Sequence, residues 1–249
     1  MRKFITKKSR VLIPAGLLLS TFFFYQCSKS DQAAAVKYSI DKSKAAVHVV
    51  SADEISNFKS TLSTRMAALP QGRLASSTLT LTPSTYFPIS ALRQLLSQPG
   101  VAGIRFYTGR QTDGSTTLFM VAADADQSDI TNRIIGPSGS MELATAKALS
   151  TSFKASIATV NNLNLPAYEL FNRDAMELLA QRSDITGIRI YWGSTNSNAC
   201  MILLPVDAAG NDMQISLLKD AAPVTPGKDG GGDGMERGNG KTGRMMINP

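Results

Sequence analysis

Two Arg-x-Tyr pairs, Arg105/Tyr107 and Arg189/Tyr191, are the residues of this 249-residue chain best suited to grip a ligand. A strand residue and its second neighbour leave the backbone on the same side, so each guanidinium and phenol would share one face. Together they can hold an anion or stack on a sugar or peptide. Trp192 follows the second pair directly, where the first has Thr108, and its position suggests exposure. The candidate binding surface is therefore Arg105, Tyr107, Arg189, Tyr191 and Trp192. A structural reading competes and carries more weight: the pairs cover an open sheet face by cross-strand packing, which needs no ligand.

The remaining chemistry is sparse. A single histidine, His48, argues against most zinc sites and most catalytic triads, and it sits at the edge of a polar stretch with no recognisable partner. Asp124, Asp126 and Asp129 look like half a calcium loop. Their counterpart, Asp207-Ala-Ala-Gly-Asn-Asp212, loses the alternation, and no glutamate closes either loop, so turn-forming residues are the simpler reading. Gly136-Pro-Ser-Gly-Ser140 lacks the strand that a nucleophile elbow requires. Cys200 lies in an apolar run, where a lone thiol is usually a small buried hydrophobe. Three acids, Glu169, Asp174 and Glu177, could supply a carboxylate pair for hydrolysis. Glu177 aligns with Arg93 and Glu169 with Thr85, so only one half of the chain could then be catalytic. No catalytic residue, metal site or cofactor is assigned.

Net charge gives no further lead. Of the formal +7, five charges come from Arg2, Lys3, Lys7, Lys8 and Arg10, before the first acid at Asp31. The rest of the chain has no basic cluster, so nucleic acid is not an expected partner.

The elements that must position these residues occur twice. Phe87–Gly109 and Phe171–Gly193 align without gaps at an offset of 84 and share eight identities in 23 positions, including Phe87/Phe171, Leu95/Leu179, Gly103/Gly187, Arg105/Arg189, Tyr107/Tyr191 and Gly109/Gly193. After a loop one residue shorter, the apolar runs 118–123 and 201–206 align, then Asp124 with Asp207 and Asp129 with Asp212. Upstream, Ser51 and Glu54 have capping-box spacing ahead of a helical stripe of Ile55, Phe58, Leu62 and Met66. Its counterpart runs from about 141 to 160, with Phe153-Lys154 echoing Phe58-Lys59. An extended segment follows each, at 77–81 and at about 164–170. A second helix then starts at Pro88 or Ser90, and at Asn172. Pro99-Gly100 stops the first of these, and Asp113-Gly114 marks a hairpin turn that Ser194–Asn198 replaces. The expected class is α+β: two tandem copies of a helix–strand–helix–β-hairpin unit, with an antiparallel sheet and helices packed on one face. The units span 51–135 and 136–220. A glycine-rich stretch, 221–249, reads as a flexible tail.

The N-terminus reads as an address. A basic segment precedes an apolar run of about fifteen residues from Val11 to Tyr25, short for a membrane-spanning helix and interrupted by Pro14 and Gly16. Cys27-Ser-Lys-Ser follows. Residues 1–30 resemble a bacterial lipoprotein signal, although Gln26 stands where a small residue is usual. The resemblance implies a signal peptide at 1–26, acylation such as palmitoylation at Cys27, and a lipid-anchored tether over 27–50. Location would then be extracytoplasmic in the cell envelope, at the outer membrane of a Gram-negative bacterium.

The pattern Gln-Pro-Gly, Gly-Ile-Arg-Phe-Tyr, and an apolar strand closing on Val-Asp-Ala-Ala-Gly-Asn-Asp resembles a group of uncharacterised bacterial proteins, often small and carrying one copy of this unit. The resemblance covers residues 85–130 and 169–213 and implies no chemistry. The expected function is that of a non-enzymatic binding or scaffolding module, anchored to the membrane through Cys27, with an envelope protein or glycan as partner. The alternative is an envelope hydrolase using a carboxylate pair in the second unit.

Overall fold

Ile104 and Phe106 leave their strand on one side and Arg105 and Tyr107 on the other, as a period of two requires, yet all four are buried. The strand is β3 (Gly103–Arg110), antiparallel to β4 (Thr116–Ala123) from Gly103↔Ala123 to Arg110↔Thr116. Gly114 turns the hairpin at φ +88°, a conformation that glycine adopts without strain, while Asp113 Oδ1 accepts from the Ser115 amide at 2.8 Å. The matching stretch forms β8 (Gly187–Thr195) and β9 (Asn198–Val206), paired from Gly187↔Val206 to Thr195↔Asn198.

The computed structural model describes residues 38–68, 79–157, 164–195 and 198–213 and a two-residue strand at 234–235. The expected signal peptide, Cys27 and the first part of the expected tether lie outside the described residues.

Short strands complete the sheets, but in an exchanged sense. β2 (Ser84–Pro88) precedes the first hairpin in sequence and pairs with β8 of the second, through Tyr86↔Arg189 and Phe87↔Ile188. β7 (Tyr168–Asn172) precedes the second hairpin and pairs with β3 of the first, through Leu170↔Arg105 and Phe171↔Ile104. The long helices follow the same rule. α2 (Ala52–Ala68) packs on β8, and α4 (Leu143–Ile157) packs on β3. Each helix–strand arm therefore serves the hairpin of the other half. With β5 (Asp129–Gly136) and β6 (Gly139–Met141), residues 103–172 supply all of one five-stranded sheet, in the order β6-β5-β4-β3-β7. The other sheet joins the two ends of the fold, in the order β1-β10-β9-β8-β2, with β1 at Val49–Val50 and β10 at Gly234–Met235.

Two short helices carry the chain between the sheets: α3 (Ile89–Leu96) from β2 to β3, and α5 (Arg173–Ala180) from β7 to β8. They pack on each other and share one core with the inner faces of both sheets. Phe87, Phe106 and Phe171 meet edge to face at its centre, at centroid distances of 6.3 Å and 5.7 Å. Burying each ring contributes roughly 1.5–3 kcal/mol. The outer faces are closed by the long helices, with Leu143, Ala146 and Leu149 against Tyr107, Phe119 and Val121. Ile55 and Phe58 lie against Cys200, Ile202 and Leu204. The α+β class and the antiparallel pairing are as the sequence indicates. Helices lie on both faces of each sheet, where one covered face was expected.

Local signals hold where they are strongest. The Ser51 amide donates to Glu54 at 2.9 Å and the Glu54 amide to Ser51 Oγ at 3.3 Å, the expected capping box. Asn172 caps α5 by accepting from the Ala175 amide at 2.9 Å. The strands, however, lie later than expected, at 84–88 and 168–172 rather than 77–81 and 164–170. Thr85 and Phe87 alternate with more exposed neighbours, so the period of two begins there. The helix correspondence is also shifted. Phe58 lies over Gly193 as Leu149 lies over Gly109, so Leu149 is the residue equivalent to Phe58, rather than Phe153.

Residues 38–50, read as tether, are built into the fold. Asp41 caps α1 (Lys42–Ala46), its amide donates to Asp174 at 2.8 Å, and Gln181 donates to the Tyr38 carbonyl at 2.8 Å. Likewise Gly234–Met235, inside the stretch read as a flexible tail, pairs with β1 and β9.

Candidate functional site

Each Arg-x-Tyr pair closes on an aspartate that follows the second hairpin strand. In the first half, Arg105 Nη1 binds Asp129 Oδ1, Tyr107 donates to Asp129 Oδ2, and Arg105 Nη2 donates to the Gln127 carbonyl at 2.7 Å. In the second, Arg189 Nη1 binds Asp212 Oδ1, Tyr191 donates to Asp212 Oδ2 at 2.6 Å, and Arg189 Nη2 donates to the Gly210 carbonyl at 2.9 Å. The turn between strand and aspartate is built the same way twice. Asp124 and Asp207 accept amides from two and four residues on, and Gln127 (φ +60°) and Gly210 (φ +85°) take the left-handed conformation that presents the carbonyl to the arginine. The residues with a calcium-like spacing are thus turn formers and clamp partners. Each arginine ties the first hairpin strand to the turn after the second.

The two clamps differ in access. The side chains of Arg105 and Asp129 are 3% and 1% exposed, whereas those of Arg189 and Asp212 are 24% and 26% exposed. The exchanged strands differ beside the two arginines. Opposite Tyr107 stands Tyr168 of β7, whose ring lies 4.8 Å from the Arg105 guanidinium and 5.6 Å from the Tyr107 ring. Opposite Tyr191 the equivalent residue of β2 is Ser84, which carries no ring. Lys59 of α2 instead sets its ammonium 3.7 Å from the Tyr191 ring centre.

Burial raises the Asp129 carboxyl above its usual range against the opposing pull of Tyr107 and Arg105. It also raises the Tyr107 phenol strongly, helped by Asp129, so this side chain remains a neutral donor. Tyr191 is raised by burial and by its bond to Asp212, and burial lowers Lys59 against the attraction of Asp212.

The expected surface at Arg105, Tyr107 and Trp192 is corrected by this geometry. Arg105 and Tyr107 are enclosed, and Trp192 is 6% exposed within the main core. The period of two explains Trp192, which follows Ile188 and Ile190 to the inner face. Arg189 and Tyr191 alone of the five are partly open. Asp129, Asp212, Lys59, Tyr168 and Ser84 were not assigned to the site from sequence. The signal for the two aspartates was their matching place behind the Arg-x-Tyr pairs, 24 and 23 residues after each arginine.

The other candidates are held by protein. His48 is buried rather than at a tether edge; its Nε2 accepts from the Asn172 amide at 3.3 Å and its ring packs on Phe171. Glu169 accepts from the Met201 amide at 3.0 Å between the sheets. Asp174 accepts from Tyr38 and Asp41, and Glu177 from Arg173 and Gln181. Cys200 is buried, as expected of a small hydrophobe. Gly136–Ser140 does follow a strand, contrary to expectation, but as the β5–β6 hairpin turn rather than a strand-to-helix elbow, and it borders two open clefts of about 490 and 600 Å³, neither lined by any of the three acids. Among the described residues no group of three or more His, Cys, Asp or Glu could hold a metal ion.

No protein family matches the chain, and no curated protein and no solved structure is significantly similar to it.

Proposed function

We propose that the chain is a membrane-anchored lipoprotein of the cell envelope, acylated at Cys27, whose folded part is a non-enzymatic binding or scaffolding module. The reading is supported above all by the fate of the ionisable groups. Arg105, Asp129, Glu169, Asp174 and Glu177 all bond to groups of the fold itself, several to main-chain amides or carbonyls. Such groups brace a scaffold, and a buried charge bonded in this way is costly to redirect to a substrate. The partly open Arg189–Tyr191–Asp212 clamp with Lys59 offers cation and aromatic together for an envelope protein or glycan. No helix of the described residues is long and apolar enough to cross a membrane; attachment on this reading is through the lipid.

Two experiments test the two halves of the proposal. Metabolic palmitate labelling with membrane fractionation is expected to mark the wild type and not Cys27→Ala; equal labelling would refute the anchor. Cross-linking in cells followed by affinity capture is expected to recover less partner with Arg189→Ala at unchanged protein level. Unchanged recovery would remove this face as the binding surface.

A further inference from the structure

The two clamps form an internal comparison, because one is filled where the other is open. The exchanged strand places Tyr168 over Arg105 and against Tyr107, and Phe119 stacks on the far side of Tyr107 at 5.3 Å. At the second clamp β2 runs in the same register, with Ser84 opposite Tyr191 and Tyr86 opposite Arg189. Ser84 carries no ring. Tyr86 does not substitute for it, since its ring lies over Gly187, where a Cβ would come within 2.3–2.5 Å of ring atoms. Leu170 fills the equivalent position over Gly103 in the first half. Among the described residues, the space that Tyr168 occupies over one guanidinium is thus without a ring over the other.

We propose that this place over Arg189, bordered by Tyr191, Ser84 and Lys59, is a docking site for an aromatic side chain of a partner protein. The chain itself supplies the template: a tyrosine laid across an arginine that is already oriented by an aspartate and a backbone carbonyl. Arg189 is held by Asp212 and Gly210, so its guanidinium plane is fixed before any ligand arrives. Its side chain keeps 24% exposure. Lys59 adds a second cation beside the ring of Tyr191, and Tyr86, 42% exposed, extends the apolar rim. A planar ring gains from both cations and from the edge of Tyr191, whereas an aliphatic side chain gains only contact area.

The inference rests on the proposed binding role and names its ligand. It is tested on the ¹⁵N-labelled folded chain by titration with N-acetyl-tyrosinamide, N-acetyl-leucinamide and chitotriose. Tyrosinamide is expected to shift the Arg189 side-chain resonance and the Ser84, Tyr86 and Lys59 amides. It should bind about two- to five-fold tighter than leucinamide, the ratio that a surface cation–π contact supplies. Ser84→Tyr, which copies the first half, should fill the place and bring tyrosinamide down to the level of leucinamide. Equal binding of the two amides, shifts elsewhere on the surface, or a folded Ser84→Tyr that still binds tyrosinamide would overturn the proposal. Preferential binding of chitotriose would overturn it in favour of a glycan site. Loss of cellular capture with Arg189→Ala alongside a negative titration would leave the binding role standing and sink only the aromatic ligand.

Discussion

Arg105→Ala and Arg189→Ala remove the same side chain from the same motif, and the structure assigns them unequal costs. Without Arg105, the Asp129 carboxylate, 1% exposed, keeps Tyr107 as partner, and the Gln127 carbonyl loses its donor. Removing one member of a buried ion pair costs about 3–5 kcal/mol. Without Arg189, Asp212 is 26% exposed and can rehydrate. A partly exposed pair contributes about 0.5 kcal/mol, and the lost bond to the Gly210 carbonyl adds about 0.5–1.5 kcal/mol, so the total is about 1–2 kcal/mol. Against a stability of about 5–15 kcal/mol, only the first change removes a large share. Urea unfolding followed by the emission of Trp192, the single tryptophan, measures both. With a slope of about 2 kcal/mol per molar, the midpoint should fall by about 1.5–2.5 M for Arg105→Ala and by about 0.5–1 M for Arg189→Ala. Equal shifts, or a larger one for Arg189→Ala, would refute the assignment of a structural clamp to the first half and an accessible one to the second.

Three further outcomes follow from the same geometry. Gly109→Ala and Gly193→Ala would each place a Cβ 2.8 Å from a Cβ of the covering helix, Leu149 or Phe58, and should each destabilise by about 1–3 kcal/mol in the same urea assay. The Asn211 amide holds the Asp207 carboxyl below the usual carboxylate range. Its stabilising contribution is present above the unfolded value of about 3.9 and is lost as pH falls through the lowered folded value. Asp207→Asn should therefore be less stable than wild type at neutral pH, with the gap narrowing in acid; a gap constant with pH would contradict this. Trp192, enclosed in the core, should emit at short wavelength and resist quenching by iodide, while ready quenching would place it at the surface.

Much of the local structure was legible in the residues themselves. Asp113-Gly114, Ser51/Glu54 and Asn172 work through neighbours close in sequence, so their turn, capping box and helix cap follow from spacing alone. The alternation in Gly-Ile-Arg-Phe-Tyr correctly separated Ile104 and Phe106 from Arg105 and Tyr107. It could not show that the second face is also covered, because the cover, α4, lies some forty residues downstream and belongs to the other matched half. Exchange of the helix–strand arms leaves no local trace: β2 would present the same alternation to either hairpin. The second clamp has Ser84 where the first has Tyr168, a comparison with meaning only once the pairing is known. Trp192 was misplaced by attention to its aromatic type, although its parity with Ile188 and Ile190 already assigned it to the core face.

The pairing of each short strand with the hairpin of the opposite half underlies the core, the unequal clamps and the proposed site. Cross-strand nuclear Overhauser contacts in the isotope-labelled chain test it most directly. Backbone contacts are expected between Thr85 and Ile190, and between Glu169 and Phe106, in line with the antiparallel register of both sheets. Contacts of residues 84–88 with 103–110, and of 168–172 with 187–195, would mean that each half completes its own sheet, contradicting the exchange and everything built on it.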